Sequence, residues 1–429
     1  MKAEYGFRDA ELRSPLLRVL NAGGGLLARL GARLPSLEPE AIAAAARARL
    51  GSDDLGGDSF REPLERYLRA AEAEADLTPF GRIALRGMLV SALATRGELQ
   101  RFARQHPEVR EERIERPWVI VGLPRTGTSL LSILLGLDPL ARAPFAWEAA
   151  HPVPPPSLAG AAEDPRIARS AREIERLLRL NPALRAMHPW GATLTQECVA
   201  FFLLDVRTLG VETQAYVPSY GRWLENCDMR PAYAQHRLAL QTLQSAQPTE
   251  RWVLKSPNHL WCLETLLSEY PDARIVWTHR DPGPVIASLA SLNTALQRTF
   301  TRRRDPRPTA EEWRAKAALA VARGMAFDDA APSGWCRHLA YRELLADPVG
   351  TVERLYASFG EAVVPLHRRR MQAWMRERHQ TAFGRHRYDP ADFGWSYAEL
   401  AEQFGAYRER YAIPREASAA AGTEPAATS

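Results

Sequence analysis

The pattern of apolar and polar positions divides the chain into two regimes. From residue 10 to about 112, apolar residues recur at helical spacing among Ala, Arg and Glu. Leu16, Leu17, Leu20, Leu26, Leu27 and Leu30 fall on roughly one face, with Arg18, Arg29 and Arg33 elsewhere. Residues 1–112 therefore read as an all-α N-terminal extension, in which Gly23-Gly24-Gly25 is expected to break the first helix. A basic amphipathic helix can lie on a membrane, but packing on its own protein is the stronger reading. From Arg116 the pattern changes. Short apolar runs at 118–122, 252–255, 274–279 and 336–341 alternate with helical stretches. Strands separated by helices predict an α/β fold, a P-loop-like parallel sheet flanked by helices and joined by crossovers. About 130 residues separate the first two strands. They hold the Pro-rich segment His151-Pro152-Val153-Pro154-Pro155-Pro156 and helical patterns near 166–180 and 195–208. This insertion, at about 150–250, is expected to wall a substrate cleft. One α/β domain thus spans 113–415, and the small, polar residues 416–429 read as a disordered tail.

Composition narrows the class only slightly. The 429 residues are 46% hydrophobic and 25% charged, ordinary for a globular protein, and the net charge of +5 fits an anionic ligand without demanding nucleic acid. Nearly all basic residues are arginine; lysine occurs only at Lys2, Lys255 and Lys316, the signature of a GC-rich genome. That bias makes Lys255 conspicuous. The cysteines Cys198, Cys227, Cys262 and Cys336 form no CxxC pair, so neither zinc nor a disulfide framework is indicated, and a reducing, cytoplasmic setting is expected. No apolar run approaches the roughly 20 residues of a membrane span, and Met1 to Asp9 lacks the apolar stretch of a secretory signal.

Three segments carry the chemistry. Val119-Ile120-Val121-Gly122-Leu123-Pro124-Arg125-Thr126-Gly127-Thr128-Ser129 reads as a strand, a glycine turn and a helix start. It has the glycine spacing of a P-loop, but Thr128 stands where nucleoside triphosphatases place lysine, and the cation is Arg125 inside the loop. Glycines allow close backbone approach, and helix-start N–H groups attract phosphate. Thr126, Thr128 and Ser129 offer hydroxyls. In Arg274–Asp281 a strand ends at Arg280, Asp281 and Pro282 start a helix, and Ser288 lies two turns in; Arg280 and Ser288 could clamp a second phosphate. Lys255 ends a third strand, on the edge where open α/β sheets bind ligands.

Jointly these segments resemble the PAPS-dependent sulfotransferase family over about residues 117–410. Gly122–Ser129 is similar to its 5′-phosphosulfate loop in the Pro-Arg-x-Gly-Thr form of protein-tyrosine sulfotransferases. Arg280 and Ser288 match its 3′-phosphate pair with the same spacing, and Lys255 matches a lysine about 25 residues before that arginine. Tyr341-Arg342-Glu343-Leu344, with Pro348, resembles its Tyr-x-x-Leu…Pro segment, whose tyrosine lies near adenine. The likeness is greatest to the bacterial group with His-Arg-Asp-Pro at the second motif.

The resemblance implies sulfuryl transfer from 3′-phosphoadenosine-5′-phosphosulfate (PAPS), a co-substrate, with no metal. Gly122, Arg125, Thr126, Gly127, Thr128, Ser129, Arg280, Ser288 and Tyr341 would bind it. Arg125 would hold the bridging and leaving oxygens and Lys255 the sulfuryl oxygens. Glu148 or His259 would be the general base, with His151 and Glu197 behind them. Five arginines in Arg298–Arg307 could cover the cofactor or meet an anionic acceptor, though such runs are more often solvated; Arg385, His386 and Arg387 are similar candidates. The acceptor, a small molecule, carbohydrate or lipid, has no readable code. Nucleic acid and integral membrane contact are not expected, and a homodimer is compatible with the sequence. The rival readings are a P-loop kinase or NTPase and a non-catalytic nucleotide-binding protein of the same fold.

Overall fold

The apolar runs after Arg116 become strands of one parallel sheet. Residues 4–12, 14–29, 34–157, 163–378, 385–416 and 422–423 are described in this computed structural model. The chain begins with β1 (Glu4–Tyr5) and the helices α1 (Pro15–Arg29), α2 (Pro39–Leu50), α3 (Arg61–Glu74) and α4 (Pro79–Gln105). Next come β2 (Trp118–Val121), α5 (Thr128–Gly136), β3 (Ala141–Arg142), α6 (Ala146–Ala150), α7 (Pro165–Leu180), α8 (Leu184–Met187), α9 (Val199–Phe202), α10 (Pro218–Leu224) and α11 (Arg230–Ala246). Then follow β4 (Arg251–Lys255), α12 (Leu263–Glu269), β5 (Arg274–His279), α13 (Pro282–Phe300), α14 (Arg307–Ala330), β6 (Cys336–Ala340), α15 (Tyr341–Ala346), β7 (Arg385–Tyr388) and β8 (Gly422–Thr423).

The main sheet has the order β3-β4-β2-β5-β6, every pair parallel. Trp118-Val119-Ile120-Val121 is buried on both faces, as a central parallel strand must be. Its register sets Val119 opposite Leu254 of β4 and Ile275 of β5, so the loop after β2 opens between the ends of both neighbours. The two-residue β3 and the small sheet β1-β7-β8 are too short to carry a period. Gly422–Thr423 pairs antiparallel with β7 inside the segment expected to be a disordered tail; the rest of that segment beyond Glu416 lies outside the described residues.

Two helix expectations change. α1 runs through Gly23-Gly24-Gly25 instead of breaking there. It crosses the start of α4 so closely that a Cβ on Gly24 would lie 2.5 Å from Pro79 Cγ. The 195–208 helix reduces to α9 and a short 3₁₀ turn, Leu203–Asp205, before Val206 turns left-handed at φ 55°. The Cys198 N–H donates to the Lys255 carbonyl at 2.8 Å, which ties this segment to the end of β4.

The N-terminal helices share the core of the α/β body. Leu64, Tyr67 and Leu93 belong to the same buried cluster as Phe201, Tyr220, Leu238 and Val119. Arg96 of α4 pairs with Asp205 at 2.7 Å, both wholly buried, and Arg207 and Ser59 also bond Asp205. The arginine run is partly solvated and partly tied to the extension: Arg302, Arg304 and Arg307 are exposed, while Arg302 donates to the Leu77 carbonyl, Arg303 to that of Glu74 and Arg298 to that of Phe7. Among the described residues, no helix is long and apolar enough to cross a membrane.

Lys316, on α14, is buried against three carboxylates: Glu225 at 2.8 Å, Glu212 at 3.1 Å and Glu312 at 3.3 Å. One cation cannot neutralise three acids. Burial raises Glu212 to about 7 despite Lys316, with Glu312 and Glu225 adding to the rise. The folded protein therefore holds a proton there that the unfolded chain releases above its usual value of 4.5. Stability contributed by this proton is complete below pH 4.5 and is lost as pH rises through about 7. Glu212→Gln is expected to gain stability relative to wild type between pH 5 and 8, on the order of 2 kcal/mol. Urea midpoints at the two pH values check this; a pH-independent difference would contradict it.

Candidate active site

The loop after β2 is shaped by contacts that only its own residues permit. Gly122 lies at φ 138°, and a Cβ there would sit 2.7 Å from Thr278 Oγ1. Gly127 lies at φ 88°, with Tyr341 Cδ2 2.8 Å from the site of a Cβ. The Thr126 hydroxyl donates to the Leu123 carbonyl at 2.7 Å and meets Thr278 Oγ1 at 2.6 Å. Thr126 is fully buried, so its hydroxyl braces the turn rather than facing a ligand. Gly127 gives α5 no side-chain cap, so the first-turn N–H groups of the helix lie uncapped just past the C-terminal end of β2. Arg125 is left-handed at φ 71°, an uncommon backbone for a residue with a Cβ. Its Nε donates to Ser288 Oγ at 3.1 Å and an Nη to the Met187 carbonyl at 3.0 Å.

The neighbouring strand ends bring further cations to this loop. Lys255, at the end of β4, is buried and donates to Ser129 Oγ at 3.1 Å and to Glu197 at 2.8 Å. Arg280, just past β5, donates to the Arg125 carbonyl at 3.0 Å and stacks 4.3 Å from the Tyr341 ring. Its Nε and an Nη also grip both oxygens of Glu416, at 2.7 and 2.9 Å. Ser288 on α13 lies 3.4 Å from His386 Nδ1, and Ser291 2.9 Å from its Nε2. The fold thus gathers the 122–129 loop, Lys255, Arg280, Ser288 and Tyr341 at one sheet edge.

The same region of the chain is matched by the sulfotransferase family model, over residues 117–365. The chain belongs to the sulfotransferase family. Among solved structures, the Mycobacterium tuberculosis sulfotransferase STF1 is 30% identical, with a TM-score of 0.77, and the match covers 86% of this chain and 98% of that one. The Mycobacterium avium sulfotransferase STF9 is 28% identical, with a TM-score of 0.81, covering 89% and 99%. No curated protein matches the chain.

In this sulfotransferase the two expected bases are engaged away from Lys255. Glu148 is buried; Arg142 donates to it at 2.5 Å, and it accepts the Phe145 N–H at 2.9 Å as part of the cap of α6. His259 sits in a buried aromatic cluster with Phe202 and His236, its Nδ1 2.7 Å from the Tyr233 hydroxyl and its Nε2 sealed without a partner. Burial and His236 keep its ring neutral. His151 lies 3.9 Å from Glu173 on α7. Of the carboxylates weighed from sequence, Glu197 is the one against Lys255. Burial works to raise it, but Lys255 and His188 more than offset this and hold it below the ordinary range.

His188 follows α8 in the insertion, where no periodicity or spacing marks it, and only the fold brings it within electrostatic reach of Glu197, Lys255 and Arg125. One further group has metal-compatible spacing among the described residues: Asp328, Cys336 and His338. The Asp328 oxygens are already taken by Trp335, Arg410 and Tyr411 at 2.7 to 2.9 Å, which leaves a poor ligand set. All four cysteines are free.

Proposed function

We propose that this sulfotransferase moves a sulfuryl group from PAPS to the hydroxyl or amine of a small-molecule, carbohydrate or lipid acceptor, by in-line attack on sulfur. The observation that carries the reading is the meeting of Arg125, Lys255 and Arg280 around one glycine loop, from three adjacent strands. A nucleoside triphosphatase concentrates its charge on a loop lysine and Mg²⁺. Cations spread over three strand ends suit a nucleotide with phosphate on both the 3′ and 5′ sides of its ribose.

The residues present fit that nucleotide. The left-handed glycine turn, packed tightly on Thr278 and Tyr341, together with the uncapped N–H groups of α5, suits the 5′-phosphate. Arg280 holds a two-oxygen anion, the Glu416 carboxylate, which stands in for the 3′-phosphate. Tyr341 offers its ring to adenine beside that arginine. Arg125, permanently charged, would stabilise the leaving oxygen, and Lys255 the sulfuryl oxygens. The leaving group is a phosphate, already a stable anion, so the reaction needs no metal in this reading. The free cysteines suit a reducing cytoplasm.

A thermal-shift comparison of adenosine 3′,5′-bisphosphate, ATP and NAD tests the assignment. The bisphosphate at 100 times its dissociation constant is expected to stabilise by about 2.7 kcal/mol. Stabilisation by ATP and not by the bisphosphate would refute it. Because Glu416 competes for Arg280, Glu416→Gln is expected to tighten bisphosphate binding about tenfold, ~1.4 kcal/mol. Calorimetric titration reads this directly, and weaker binding would show that Glu416 supports the nucleotide instead.

A further inference from the structure

We propose that His188 is the general base of the transfer, its Nε2 taking the proton of the acceptor hydroxyl as that oxygen attacks sulfur. This rests on the sulfuryl-transfer reading above. His188 directly follows Met187, whose carbonyl accepts the Arg125 guanidinium at 3.0 Å, so its backbone is clamped to the phosphate loop. Its Nδ1 lies 2.6 Å from the Pro189 carbonyl. A carbonyl oxygen can only accept, so Nδ1 carries the proton, and the neutral ring has its lone pair on Nε2. No described residue hydrogen-bonds Nε2, and it is not among the sealed, unpartnered atoms. The half-buried ring rests against Trp190, 5.1 Å between centroids.

Three charged groups act on the ring: Glu197, Lys255 and Arg125. Burial and the two cations outweigh Glu197 and depress His188 to about 4, so the ring is neutral at neutral pH and able to accept a proton. Glu197 is a poorer base because Lys255 holds it. An anionic nucleotide lodged on Arg125 offsets that cation and raises the proton affinity of His188 toward working pH. The step balances. The acceptor O–S bond forms, the S–O bond to the 5′-phosphate breaks, and the electron pair stays on the phosphate oxygen beside Arg125. The proton moves to Nε2, and Glu197 stabilises the imidazolium.

Histidine-ring ¹⁵N spectra of the full chain test the geometry, with the His188 signal assigned by its loss in His188→Asn. The expected result is the Nδ1–H tautomer at neutral pH, with a titration that moves up by about one unit or more on adding adenosine 3′,5′-bisphosphate. The opposite tautomer, or a titration unmoved by bound bisphosphate, would overturn the assignment. In the second arm, His188→Asn keeps its bisphosphate affinity within about twofold while PAPS turnover falls about 10²–10³-fold and loses its acid limb. Unchanged turnover with intact binding overturns the role of His188 alone. Wild-type protein that binds no bisphosphate overturns the sulfuryl-transfer reading, and the base with it.

Discussion

Lys255→Ala is expected to lower kcat for sulfuryl transfer about 10²–10³-fold, ~3–4 kcal/mol of barrier, while bisphosphate affinity changes little. Lys255 is buried at the end of β4, and its ammonium donates to Ser129 and Glu197. In the proposed complex its ammonium faces the sulfuryl oxygens, which adenosine 3′,5′-bisphosphate lacks. Its charge therefore acts on the reacting group and not on nucleotide binding, the pattern of an interaction made chiefly in the transition state. Lys255→Arg is expected to recover only part of the rate, because a planar guanidinium cannot replace a compact ammonium in a buried site. Steady-state rates paired with calorimetric titration separate the two effects. A variant that loses binding in proportion to rate would place Lys255 on the nucleotide's phosphates instead.

Asp205→Ala is expected to cost about 3–5 kcal/mol of folding stability, the largest loss of any single carboxylate discussed above. Asp205 is wholly buried and is bonded by Arg96 of α4, by Arg207 and by Ser59. Removing the carboxylate leaves two buried guanidinium groups without their counter-charge, which costs far more than the net value of the pair. Arg96 would keep bonds to the Leu55 and Gly56 carbonyls, but these satisfy hydrogen bonding and not charge. Asp392→Ala is the control: its Arg8 partner is 66% exposed, and breaking such a pair costs about 0–1 kcal/mol. Urea denaturation measures both. A loss under 1 kcal/mol for Asp205→Ala would mean that α4 is not held to the 203–205 turn by this pair.

The residues that act through backbone shape or strand position were legible in the sequence. Gly122, Gly127 and Arg125 follow from a strand–turn–helix pattern, Lys255 and Arg280 from apolar runs that end in charge, and Ser288 from its place in the next helix together with the family resemblance. The parallel sheet followed from the same alternation. What was not legible depends on contacts distant in sequence. His188 has no periodic neighbour; Glu148 is the exception, claimed by the nearby Arg142 and by the capping box of its own helix. The arginines of 298–307 read as a solvated loop, which Arg302, Arg304 and Arg307 largely are; only the fold shows that Arg302 and Arg303 also bond the end of α3 and the turn after it. The glycines in α1 looked like a break because helix propensity is a local quantity, whereas the crossing with Pro79 is not.

Sulfur-labelled PAPS incubated with the protein and a panel of small-molecule, carbohydrate and lipid acceptors, with EDTA present, tests sulfuryl transfer most directly. Label passing to the acceptor as adenosine 3′,5′-bisphosphate accumulates, undiminished by chelator and slowed about 10²–10³-fold in Lys255→Ala, is the expected result. Label retained on PAPS while ATP is cleaved in a Mg²⁺-dependent reaction would contradict it.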